Sequence, residues 1–185
     1  MQTTETKNKY TVKDYMLMEE GAPFQLIDYE LIDTPSRTPM HQVVMMKFLM
    51  LISSFLKETK NKGLLILGPI DVILDEGNVF QPDWVYVSEA RKDEIVKDRV
   101  EGAPDLIVEI LSPETAAYDI GIKKDTCAIH GVKEYIILDP IQQSAEVYVL
   151  KDNAFFIDQK VKFPGSFHSL VLKGFSVDLK ELFEQ

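Results

Sequence analysis

The 185-residue chain is short of several residue types that usually announce a function. It has one cysteine, Cys127, which excludes an intrachain disulfide framework and any cysteine-based zinc site. Basic residues are scarce: 20 Lys and Arg stand against 30 Asp and Glu, a formal net charge of −10. Such a surface repels nucleic acid on average, so contact with DNA or RNA would need a local basic patch, metal ions or an assembly. Long hydrophobic runs are missing as well. The longest, VVMMKFLMLISSFL, is broken by Lys47 and two serines and reads as a buried helix, not a membrane span. The first residues, MQTTETKNKY, are polar and lack the apolar segment of a signal peptide. A cytoplasmic protein with no membrane partner is expected.

Hydrophobic residues make up 45% of the chain and charged residues 27%, which suits one globular domain over residues 1–185. Thr11 and Asp14 cap a short helix, TVKDYMLMEE, that Gly21 would stop. FQLID and YELID alternate as a hairpin or one irregular strand. A long helix follows from about Met40 to Lys60, closed by Gly63, its methionines and leucines expected in the core. LLILG, PIDVIL and VFQPDWVYVS read as strands, the last two a hairpin about DEGN. RKDEIVKDRVEGAP is charged and reads as a short helix and a loop. After DLIVEIL comes a helix within ETAAYDIGIKKDTCAIHG, then the strand EYIILDP, the edge hairpin SAEVYVLKDNAFFIDQKV, FHSLVL and a terminal helix VDLKELF. With no repeats or linkers, the pattern predicts an α/β fold with a mixed β-sheet flanked by helices.

One residue resists this pattern. In DLIVEILSP, Glu109 interrupts a run of strand-forming hydrophobes that looks buried on both faces. An ionised carboxylate there, without a partner, costs several kcal/mol. A cation, a hydrogen-bond donor or a metal ion must sit opposite it. Asp83, after proline in QPDWVYV, and Lys123, four residues after Asp119, could complete a site. Two carboxylates on neighbouring strands can share a hard divalent cation such as magnesium. The cation would lower the pKa of a bound water, and a lysine could orient that water or stabilise the transition state. Each residue also has a plainer role. Pro-Asp before a strand is an ordinary turn, Asp119 and Lys123 are spaced as a solvated helix pair, and Glu109 with Lys123 could be a buried ion pair.

The runs QPDWVYVS, EGAPDLIVEILSPETAAYDIGIKK and GVKEYIILDP, in that order, closely resemble the Uma family of bacterial putative restriction endonucleases, of the PD-(D/E)xK nuclease superfamily. The similarity runs from FQLIDYEL to the terminal helix. It implies a restriction-endonuclease-like core and a magnesium-dependent endonuclease acting on DNA, with manganese able to substitute. Asp83 matches the aspartate of the PD half-motif and Glu109 the acid of the (D/E)xK half. Leu111 stands where the motif places its lysine, and the family's following D-x-G-x-K segment is Asp119, Gly121 and Lys123. The resemblance therefore implies a migrated catalytic lysine at Lys123. Lys124, one residue on, turns about 100° away on a helix. Glu30 matches an acid implied as a further metal or water-positioning ligand, and His41 a histidine that could contact phosphate or water. His130 and His168 carry no motif.

The chain also departs from the family pattern. Tyr29 replaces the glycine of the LIDGEL turn, which would make that turn wider or the segment continuous. Gln25 stands in place of an acid, and Cys127 in place of a tyrosine four residues after the lysine. Three functions compete: a nuclease, working as a homodimer because two sites are needed to cut both strands; a catalytically inactive nuclease-fold module binding a protein or nucleic-acid partner; and a purely structural Glu109–Lys123 pair.

Overall fold

A computed structural model describes residues 9–19 and 21–184. The polar segment 1–8 and the expected helix end at Glu20 lie outside the described residues. The first half of the chain runs α1 (Val12–Tyr15), β1 (Phe24–Ile27), β2 (Glu30–Asp33), α2 (Pro39–Glu58), β3 (Leu64–Leu67), β4 (Val72–Asp75), β5 (Asn78–Phe80), β6 (Trp84–Val87), α3 (Glu89–Ile95) and β7 (Val100–Glu101). The second half runs β8 (Leu106–Ile110), α4 (Ala116–Ile120), α5 (Ile122–Ile129), β9 (Glu134–Asp139), β10 (Ser144–Lys151), β11 (Ala154–Lys162), β12 (Ser166–His168), β13 (Ser176–Asp178) and α6 (Leu179–Phe183).

The expected mixed sheet is present, ordered β11-β10-β9-β8-β6-β3, with β8 and β9 parallel and its other pairs antiparallel. It does not stand alone: a second sheet has the order β2-β1-β5-β4-β7. The cause lies in VFQPDWVYVS, which is two strands and not one. Pro82 has no N–H to donate to a ladder, so the chain leaves the smaller sheet after Phe80 and enters the larger one at Trp84. The hairpin partner of β4 is therefore β5 alone.

Both faces of the six-stranded sheet are covered. Leu106, Val108 and Ile110 of β8 pack with Val44, Phe48 and Ile52 of α2 and with Leu179 and Leu182 of α6. Ile107 of β8 points the other way, toward Cys127 of α5 and toward Val72 and Phe80 of the smaller sheet. Alternation along β8 puts Glu109 on the side of Ile107. The α2 helix begins at Thr38, whose hydroxyl accepts from His41 N, and has Pro39 in its first turn. Its inner face is core, but Met40, Met46 and Met50 are exposed, contrary to the expectation that its methionines are buried.

Two details reverse the sequence reading. The β1–β2 connection is neither wide nor continuous: Asp28 and Tyr29 alone link the strands, both with positive φ, 49° and 64°. This is the backbone that favours glycine, and a non-glycine residue there costs about 1–2 kcal/mol. Compensation comes from hydrogen bonds between Tyr29 N and Gly77 O and between Tyr10 N and Tyr29 O. Gly77 leaves space for the ring, since a Cβ there would lie 2.7 Å from it. The terminal segment differs too, because Val177 and Asp178 belong to β13 and α6 starts only at Leu179.

Asp105, just before β8, ties three elements together at the base of the larger sheet. It is buried and accepts from Ser88 N at 2.8 Å and Lys133 Nζ at 2.5 Å, with Arg91 at 3.3 Å. Burial alone would raise its pKa, but Lys133 and the Ser88 N–H outweigh it and hold the carboxyl below its usual range. Asp105→Asn should lower the unfolding free energy by about 1–3 kcal/mol, the cost of losing charged hydrogen bonds whose cations remain partly solvated. A folded-state pKa below the unfolded one contributes stability above the unfolded value of about 4, and that stability is lost as pH falls. Urea melts from pH 7 to pH 3 should show the gap between variant and parent closing toward the acid end.

Candidate active site

The register of the larger sheet builds the site. β6 and β8 are antiparallel with Trp84 opposite Val108, so Asp83, one step outside β6, comes opposite Glu109. Asp83 N donates to Glu109 Oε2 at 3.3 Å, and Ile110 N donates to Asp83 Oδ2 at 2.8 Å. The first turn of α2 brings His41 Nε2 to 3.1 Å from the same Asp83 oxygen. Arg37, on the segment leading into α2, lies 3.3 Å from Asp83 Oδ1.

From the opposite side α5 delivers Lys123. Its Nζ donates to Glu109 Oε1 at 2.5 Å and to Asp119 Oδ1 at 2.6 Å. Lys123, Glu109 and Asp119 are each no more than 2% exposed, so Asp119 and Lys123 are not the solvated helix pair that their spacing suggests. Asp119 is held in turn by Thr115 Oγ1, which donates to its Oδ2 at 2.8 Å, and Thr115 shares a hydrogen bond with Ser112. Tyr135 OH donates to the Asp119 carbonyl at 3.0 Å. The helix expected over this segment is broken at Gly121 into α4 and α5. A Cβ at Gly121 would lie 2.7 Å from the Ala117 carbonyl oxygen, backbone that cannot swing aside. The glycine permits the close backbone approach at the break between α4 and α5.

Lys124 faces elsewhere, pairing with Asp125 at 3.0 Å and lying over the Tyr148 ring. Leu111 is partly buried against the second core cluster. Cys127 is buried beside Lys123, and burial pushes its thiol pKa far up, so it stays neutral. Gln25 is buried, and its Oε1 accepts from Gln81 N at 3.4 Å. Glu30 opens β2, the edge strand of the smaller sheet, opposite Ile27. The structure does not gather it with Asp83 and Glu109: among the described residues no three Asp, Glu, His or Cys side chains converge in metal-ligand geometry. His130 bonds the Thr126 carbonyl and faces Asp75, and His168 lies on the small strand β12, both away from the acids.

The cluster has more carboxyls than permanent cations, and a proton on Glu109 makes up the difference. Three carboxylates, Asp83, Glu109 and Asp119, face two permanent cations, Lys123 and Arg37. Burial pushes the Glu109 carboxyl up, Lys123 opposes that shift, and the neighbouring Asp119 and Asp83 add to it. Burial disfavours the Lys123 ammonium, but Asp119 and Glu109 outweigh it and raise its pKa, so it remains protonated. Asp83 is held low despite burial, through its hydrogen bond with His41 and the Arg37 charge. Hard oxygen donors, one of them carrying a proton that a cation would displace, suit a divalent ion with several of its own waters. His41 Nδ1 is buried with no protein partner.

Arg37 and Asp119 are the members that sequence reasoning missed as parts of the site. Asp119 had a signal in the D-x-G-x-K segment. Arg37 had none, since its partner is distant in sequence and no spacing links them.

Lys123→Met would strand Glu109 and Asp119 against each other without their shared cation, and should lower the unfolding free energy by about 3–5 kcal/mol. Glu109→Gln should cost much less, because Lys123 keeps Asp119. Guanidinium unfolding of both variants checks the order. The opposite order would show that Lys123 is not the centre of the cluster.

A family model for Uma2, described as "Putative restriction endonuclease", matches residues 12–180. The fold is shared with the crystal structure of a putative nuclease belonging to DUF820 from Anabaena variabilis ATCC 29413. The TM-score is 0.78 at 19% sequence identity, covering 94% of this chain and 97% of that one. No curated protein matches the sequence.

Proposed function

This chain belongs to the Uma2 family of putative restriction endonucleases, and we propose that it is a metal-dependent endonuclease hydrolysing DNA phosphodiester bonds. One observation carries the proposal: paired strands bring Asp83 and Glu109 side by side, and the Lys123 ammonium meets Glu109 at 2.5 Å in a buried cluster. Asp83 and Glu109 would hold magnesium, or manganese in its place, as a two-carboxylate ligand set. When bound, that cation supplies charge to the phosphoryl oxygen and acidity to a bound water.

The protein's own groups do the rest. Lys123, permanently charged, is an unsuitable proton acceptor; it donates hydrogen bonds that orient the attacking water and offset developing negative charge. Asp119 acts through Lys123 and fixes its position. His41 orients Asp83, and Arg37 brings a fixed positive charge beside it. Cutting both strands of a duplex needs two such sites, so the working form proposed is a homodimer.

Purified protein should nick plasmid DNA with magnesium or manganese. Glu109→Gln, which keeps the side-chain volume, should lower the rate by at least about 100-fold, as expected when charge at the reacting centre is lost. Lys123→Gln should also lose activity, provided melting shows it folded. Cleavage that persists in both variants would refute the assignment.

A second reading is favoured by the donors that already surround the carboxylates: a nuclease-fold module that binds a partner without catalysis. Calorimetry separates the two. Heat of divalent-cation binding that disappears in Glu109→Gln supports the enzyme, and its absence in the parent supports the module.

A further inference from the structure

The acid cluster opens to solvent through a cavity of about 380 Å³. Of the cluster only Asp83 lines it, with Arg37 beside it. A neighbouring cavity of about 570 Å³ shares Gly21, Ala22, Pro69 and Gln81 with the first and continues to Tyr15 and Arg99. The two cavities adjoin at these residues, and the one beside Asp83 is a groove lined by Arg37. In the part nearest the carboxylates, Arg37 is the one cation among the described lining residues and Asp83 the one anion. Every other wall group there is neutral.

Arg37 is underused by the protein. A guanidinium has five N–H donors, and among the described residues its one ion pair is the 3.3 Å contact with Asp83. Arg37 serves Asp83 Oδ1, while Ile110 N and His41 Nε2 serve the other carboxylate oxygen, so one edge of the guanidinium is engaged and the rest of the fork is left. The side chain is 23% exposed and stands at the cavity wall, on a segment held by Pro35 and by the capping Thr38. A planar fork with free donors, facing a neutral wall, is suited to a phosphodiester. A cavity of this volume takes a nucleotide-sized segment and not a duplex.

We propose that the groove binds one nucleic-acid strand and that Arg37 anchors its phosphodiester next to Asp83. The identity of the ligand class rests on the endonuclease reading, whereas the anchoring group rests on the groove itself. In a homodimer each copy would take one strand.

Fluorescence anisotropy with labelled tri-thymidylate in EDTA tests binding without cleavage. The parent should bind saturably, with log K falling against log salt by about 0.7 for each phosphate contacted. Arg37→Ala should bind at least tenfold more weakly and lose about 0.7 of that slope. Arg37→Lys should retain part of the affinity, and Lys57→Ala, on the exposed face of α2, should match the parent. If Arg37→Ala does not fold, Arg37→Gln carries the same comparison. No binding by the folded parent, a loss of under twofold in the Arg37 variant, or an equal loss in Lys57→Ala would overturn the proposal. Arg37-dependent binding without magnesium-dependent cleavage would overturn the endonuclease reading and leave the groove. Cleavage indifferent to Arg37 would do the reverse.

Discussion

The Lys123 ammonium, held between Glu109 and Asp119, is the interaction on which the centre of the molecule depends. Three charges with almost no solvent contact are tolerated only if each has partners of opposite sign or good hydrogen bonds. That requirement docks α5 against β8 in one position. It also explains the supporting parts: Gly121 breaks the helix, Thr115 and Tyr135 hold Asp119, and Cys127 packs as a neutral group beside the lysine. An apolar contact of the same size would hold the helix with equal strength but would leave nothing to act on a phosphate.

Glu134 shows why burial of an acid is not by itself a site. It is fully buried at the start of β9, as Glu109 is within β8, and its pKa is also raised by burial. Its oxygens accept from Ser169 Oγ, Leu170 N and Val171 N, neutral donors from one loop. The result is a structural clamp on the chain near its end, with no cation paired to Glu134 among the described residues. Glu109 instead shares its surroundings with Asp83, Asp119 and Lys123. The lysine and the two further acids around Glu109, and not burial, separate the two glutamates.

The site was partly legible in the sequence. Glu109 betrayed itself as a charge within DLIVEIL, and the order of the PD, E and D-x-G-x-K segments pointed to Asp83 and Lys123. Choosing Lys123 over Lys124 followed from the resemblance to the D-x-G-x-K segment; helix geometry added only that the two lysines point apart, as they do. Arg37 was not legible, because its pairing with Asp83 crosses from the entry of α2 to the edge of β6. Asp105 was not either, for its partners come from α3, from the residue before that helix and from the start of the next strand segment. The burial of Asp119 was invisible for a related reason. An i, i+4 acid–lysine pair looks the same whether its helix face meets water or a sheet.

Elements of strong period or composition were set by the sequence alone: α2, the strands of the larger sheet, and the buried acid of β8 that demands a partner. Local patterns also favoured the β10–β11 hairpin at the sheet edge. Tertiary structure decided what local patterns leave open. It split VFQPDWVYVS between two sheets at Pro82, closed the β1–β2 turn tightly on Tyr29 despite the backbone cost, and left one methionine face of α2 exposed. Above all it decided which oppositely charged groups meet. Alternation and helical period report which face a residue takes, but which face meets which depends on register and docking between segments far apart in the chain.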